Sequence, residues 1–165
     1  MLDISVIAEP LPQIPNSEQL YEVDFYAWTQ QQSILIRDGR WAEVDRMNLL
    51  EEIESLGRQQ RQELRSRLGL LIGHLLKWQY QPERRSQSWL TTLRLQRLEI
   101  VDLLSDNPSL KPYLEEAIDR AYLRGLTSAI DETNLSSTVF PIGCEYTVVE
   151  MLNDNFYPGE SNDLL

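Results

Sequence analysis

Between residues 41 and 81, apolar side chains recur at Val44, Met47, Leu50, Leu64, Leu68, Leu71, Leu75 and Trp78, with Gly57 on the same line. Steps of three, four or seven keep these positions on one stripe of a helix. The spacing therefore predicts one long helix over 41–81, closed by Pro82, whose ring and missing N–H do not continue it. Leu49, Ile53 and Leu56 widen the stripe in its first half. Leu70, Ile72 and Leu76 nearly encircle the second half, which is accordingly expected deep in a core. Over 58–67 only Leu64 is apolar, so the middle of the helix is expected to bridge two apolar clusters. At about 1.5 Å per residue, such a helix reaches roughly 60 Å.

The same periodicity places the remaining elements. Phe25, Trp28, Gln32, Leu35 and Ile36 form a helical stripe, which predicts a first helix from residue 17 or 24 to residue 38, stopped by Gly39. After Pro82, Ser86 is an N-cap candidate for a third helix ending near residue 105, with Trp89, Leu93, Gln96, Ile100, Val101 and Leu104 inward. Asp106, Asn107 and Pro108 read as a turn. Ser109 is then expected to cap a fourth helix, with Glu115 and Glu116 near its positive end and a stop at Asn134. From Leu135 the pattern is irregular, apart from a short turn of helix starting near Thr147 and an apolar anchor at Phe156, Tyr157 and Pro158. Alternating Val-, Ile- and Thr-rich runs are missing, which argues against a sheet. The predicted fold is all-α: an irregular bundle of four main helices around one long central helix, with a short irregular C-terminal segment. The expected organisation is a flexible N-terminal arm over 1–16, marked by Pro10, Pro12 and Pro15, a single helical domain over 17–158, and a loose tail over 159–165.

Charge modifies this picture in one place. The formal net charge is −11, which disfavours anionic partners in general. Residues 58–97 hold nine Lys and Arg against Glu63 and Glu83, a local +7, so the remainder carries −18. Either acidic helices pack beside this basic stretch, or it forms a segregated face for phosphates. Cys144 is the only cysteine, so no intramolecular disulfide is expected and a reducing compartment is consistent. The start lacks the basic-then-apolar pattern of a signal peptide, and the densest apolar run, 68–76, is too short to span a bilayer. The expectation is a cytoplasmic protein without membrane contact.

Several short motifs occur together and in order. They are Asp24-Phe25-Tyr26-Ala27-Trp28, Glu51-Glu52-Ile53-Glu54-Ser55-Leu56-Gly57, the run His74 to Ser86 leading to Trp89, Pro112-Tyr113-Leu114, and Tyr146-Thr147. Over about residues 20–158 the chain resembles domain-of-unknown-function family 29, best known from cyanobacteria. The resemblance implies a helical bundle and assigns no activity, so it supplies no catalytic residues.

The candidate chemistry centres on the end of the long helix. Arg84 and Arg85, with Trp78, Tyr80 and Trp89 nearby, combine guanidinium forks suited to carboxylate or phosphate with aromatic faces that stack on bases or mark protein interfaces. The alternative is that the arginines cap the last carbonyls of the helix while the tryptophans fill the core. His74, the only histidine, is a hydrogen-bonded core residue or, because imidazole titrates near neutral pH, a base or metal ligand. Binding residues are therefore placed at His74, Trp78, Arg84, Arg85 and Trp89. Glu51, Glu52 and Glu54 read as a solvated face, and Cys144 has no neighbouring histidine to activate it. The Glu-x-x-His pairs of bundle di-metal sites are missing, as are Gly-rich phosphate loops and nucleophile elbows. No catalytic residue, metal or cofactor is expected. The functional expectation is a non-enzymatic interaction or self-association module with a protein partner or a second copy. Nucleic-acid binding through 58–97 and a metal-dependent or hydrolytic site near His74 are the alternatives.

Overall fold

The computed structural model describes residues 17–159, without the side chain of Glu18. The expected N-terminal arm, and the tail from residue 160 onward, lie outside the described residues. Regular structure among the described residues is entirely helical, so the fold is all-α. Six α-helices follow in order among these residues: α1 (Ser17–Val23), α2 (Phe25–Arg37), α3 (Arg46–Tyr80), α4 (Gln87–Asp106), α5 (Leu114–Thr133) and α6 (Val148–Leu152). The chain divides into two compact units, Met1–Leu56 and Gly57–Leu165, with the boundary inside the long helix α3.

In the N-terminal unit, α2 starts after Asp24, one of the two expected starts, and a separate helix, α1, precedes it. Asp24 leaves helical geometry (φ −149°) and its carboxylate accepts the Ala27 N–H at 3.0 Å, capping α2. A side chain that offers the backbone its own hydrogen bond competes with helix continuation, which the periodicity of α1 and α2 does not reveal. Gly39 takes the left-handed conformation expected of a stop, at φ +70°. Helix α3 begins at Arg46 rather than at Trp41, because the Asp45 carboxylate accepts the Asn48 N–H at 3.3 Å and makes the cap there. Trp28, Leu35 and Val44 are buried around Gln32. Gln32 is held there by polar bonds: its Oε1 accepts the Asp45 N–H at 2.8 Å. The Trp28 Nε1–H donates to Asp45 Oδ2 at 3.2 Å, so one carboxylate caps α3 and anchors α2. Tyr21 and Trp28 meet edge to face at 4.9 Å. The Tyr21 hydroxyl donates to Glu52 at 2.6 Å, which pushes its pKa up to about 12.

The C-terminal unit holds the large core. Leu64, Leu68, Leu71, Leu75 and Trp78 of α3 are buried with Leu90, Leu93, Ile100 and Leu104 of α4 and Ala117, Ala121, Tyr122 and Ala129 of α5. Each fully buried leucine of this kind contributes about 1.5–3 kcal/mol. Helices α3 and α5 approach closely where glycines face each other. A Cβ on Gly125 would lie 2.8 Å from the Gly69 carbonyl oxygen and 3.0 Å from the Gly73 nitrogen. Ser86 caps α4 as expected, accepting the Trp89 N–H at 3.3 Å. Ser109 does not cap the next helix. Pro108–Tyr113 forms a 3₁₀ helix and α5 starts at Leu114. Proline disfavours α geometry in the residue before it, so Pro112 holds Lys111 back from an α-helix. Asn134 ends α5 in the left-handed conformation (φ 57°). Thr147 and Glu150 form a reciprocal capping box at the start of α6.

Candidate functional site

The end of α3 separates the five expected binding residues into two groups. The first group is inward. Trp78 is fully buried, with the Arg85 guanidinium 5.1 Å above its ring and the Tyr157 ring at 5.3 Å. Arg97 in turn lies 5.1 Å over Tyr157, so two adjacent aromatic rings lie between two cations. Both arginines also hold carbonyls. Arg85 Nε–H donates to the Trp78 oxygen at 2.8 Å and its Nη2 to Pro158 at 3.4 Å. Buried Arg97 donates to Met151 at 2.8 Å, to Asp154 at 3.4 Å and to Phe156 at 2.5 Å. These bonds cap the end of α3 and fasten the segment after α6.

The second group faces a cleft of about 360 Å³ lined by Gln81, Arg84, Trp89, Glu132, Thr133 and Asn134. Arg84 and Trp89 lie on its wall directly. His74 reaches it through Lys77, whose side chain is only 1% exposed. Lys77 Nζ lies 3.3 Å from His74 Nε2, 2.5 Å from Glu132 Oε2 and 5.0 Å from the centre of the Trp89 ring. Because His74 Nδ1 is 3.0 Å from the Leu70 carbonyl, which only accepts, Nδ1 carries the proton. Nε2 is then the lone pair that accepts from the Lys77 ammonium. Burial, and next the Lys77 charge, lower the His74 pKa from 6.5, which keeps the ring neutral. Burial pushes the Glu132 carboxyl up, but hydrogen bonds from Lys77 and from the Ser128 hydroxyl at 2.7 Å together leave it below its ordinary value.

The arrangement is a hydrogen-bonded relay from Leu70 through His74 and Lys77 to Glu132 and Ser128. It presents a carboxylate, a guanidinium and an aromatic face to the cleft. A lone pair already committed to an ammonium is poorly placed to act as a base or to bind a cation. Lys77 and Glu132 were not among the expected site residues. Lys77 sits within the basic stretch and Glu132 lies 55 positions further on in α5, so only the i,i+3 spacing of His74 and Lys77 hints at the relay. Cys144 is half-buried, and burial raises its thiol pKa, the opposite of what a thiolate nucleophile needs. Among the described residues, no group of three or more His, Cys, Asp or Glu side chains comes together to hold a metal ion. No described helix is long and apolar enough to cross a membrane.

The model of one protein family, the domain of unknown function DUF29, matches residues 20–157. The chain belongs to this family. The match spans both units of the DUF29 chain, from α1 to the Tyr157 ring that packs on Trp78. No curated protein and no solved structure matches it.

Proposed function

We propose that this DUF29 chain is a non-enzymatic, intracellular self-association module whose second copy docks on the N-terminal part of α3. The observation that carries the reading is an apolar stripe that is covered along one part of the helix and bare along the other. Leu64, Leu68, Leu71 and Leu75 are buried in the C-terminal unit, whereas Leu50, Ile53 and Leu56 are 52%, 58% and 61% exposed. Three-residue steps keep the exposed residues on one side of the helix. Exposed apolar surface gathered on one helix face marks an interaction site more than scattered apolar residues do.

The symmetric spacing of Leu50 and Leu56 about Ile53 supports a second copy as the occupant. Two copies laid antiparallel about Ile53 bring Leu50 of each copy opposite Leu56 of the other, a self-complementary two-fold contact. The turning inward of Lys77, Arg85 and Arg97 takes three of the nine cations of 58–97 away from any phosphate backbone, which favours a protein partner over nucleic acid.

Sedimentation equilibrium of the full chain over a concentration series tests the reading. A dimer mass is expected, with Ile53→Glu shifting the chain to monomer while helicity by circular dichroism is retained. Leu50→Glu and Leu56→Glu are each expected to weaken association likewise. A monomer mass throughout the series overturns the proposal.

A further inference from the structure

The C-terminal unit carries another cleft, of about 360 Å³, where α3 and α5 approach. Gln62, Arg65 and Ser66 line it from α3, and Arg120, Ala121 and Arg124 from α5. The small residues at the crossing bring the cations of the two helices together. A Cβ on Gly69 would lie 3.4 Å from Arg124 Cδ and 3.5 Å from the Ala121 oxygen. Arg124 Nη1 donates to the Ser66 hydroxyl at 3.2 Å, and Arg65 Nη1 to the Tyr113 hydroxyl at 2.6 Å. Both acceptors are neutral and cancel no charge. Arg120 pairs with a carboxylate, Glu116 at 2.8 Å, and that pair is more than half exposed on both sides. A fourth guanidinium, that of Arg61, lies 4.9 Å over the Tyr113 ring and adds to the same positive field.

Like charges gathered in one place repel, and this chain is acidic overall, with a net charge of −11. A cationic cleft here is therefore not what average composition produces. Guanidinium forks converging from two helices match the planar, multi-oxygen face of an oxyanion. The Ser66 hydroxyl and the Gln62 amide add neutral hydrogen-bonding groups beside them. We propose that this cleft binds a small dianion: inorganic phosphate or the phosphoryl group of a monoester. The volume suits a phosphoryl group with a short organic portion and is far smaller than a nucleic-acid strand requires. None of the residues lining the cleft belongs to the self-association surface.

Isothermal titration of the full chain with inorganic phosphate, at ionic strength matched with sodium chloride, tests the site. Saturable binding is expected, with at least a tenfold loss of affinity in Arg124→Gln and in Arg120→Gln. Both side chains are exposed, so both variants are expected to keep the native circular dichroism spectrum. If Arg124→Gln does not fold, Arg120→Gln decides alone. Phenyl phosphate separates the two sources: tighter binding than phosphate identifies a monoester as occupant, and weaker binding identifies the free ion. Heat indistinguishable from chloride, phosphate binding unchanged in the variants, or an oligonucleotide that outcompetes phosphate more than tenfold would each overturn the proposal.

Discussion

Lys77 shows how one residue's role is set by what surrounds it. An ammonium buried this deeply is retained only with partners, and Glu132 and His74 supply them. Removing the carboxylate and removing the ammonium are therefore unequal. Lys77→Met keeps the volume, leaves a half-exposed Glu132 to water, and is expected to stay within about 1 kcal/mol of the native chain. Glu132→Ala strands the buried charge and is expected to cost about 1–3 kcal/mol in urea unfolding. The relay also sets a pH response. The folded-state pKa of His74 lies below 6.5, so an NMR titration of its ring is expected to give a midpoint under that value. The unfolded chain then binds the extra proton more readily. Stability linked to His74 is fully present above 6.5 and is lost as pH falls through the lower folded value. Glu132 acts in the same direction, its contribution present above 4.5 and lost below. His74→Gln is expected to flatten the upper part of this profile in a pH series of urea midpoints.

At the scale of elements, the three glycines of α3 have different reasons to be glycine. Gly69 and Gly73 face Gly125 of α5, and a Cβ on Gly125 would press on backbone that has no freedom to move aside. Gly125→Ala is expected to destabilise by about 1–3 kcal/mol, the cost of overpacking a close crossing. Gly57 sits in the same helix, and a methyl group at that position would meet nothing within 4 Å. Gly57→Ala is expected to stabilise by about 0.5–1 kcal/mol, since only the helical penalty of glycine is removed. Thermal unfolding of both variants checks the opposite signs. The cap at Ser86, the short helix starting near Thr147 and the stop at Asn134 were legible from residue type and spacing, because their chemistry is local. Residue 24 was legible as one of two starts, but the separate helix before it and the late start at Arg46 were not, because an aspartate inside an apolar period gives no sign of whether it caps or continues.

At the scale of the whole molecule, the two units differ in how much core each owns. The large core cluster runs from Leu64 to Met151, wholly within Gly57–Leu165, whereas the N-terminal unit buries Trp28, Leu35 and Val44 around Gln32. A fragment from Gly57 to the C-terminus is expected to fold cooperatively by circular dichroism and thermal melting, and a fragment ending at Leu56 to remain largely unfolded. Two separate transitions in the full chain would fit this inequality; loss of structure in the longer fragment would instead favour the single domain over 17–158 that the sequence suggests.

Periodicity and turn chemistry determined that this chain is helical, that one long helix organises it, and where most helices stop, because those properties depend on neighbours within a few residues. The candidate site was legible only as a set of residue types. Which cations face inward, that His74 meets Glu132 through Lys77, and that arginines of α3 and α5 share one cleft were decided by the tertiary structure. Those contacts join residues far apart in the chain, and the packing of helices, not their sequence period, brings them within hydrogen-bond reach.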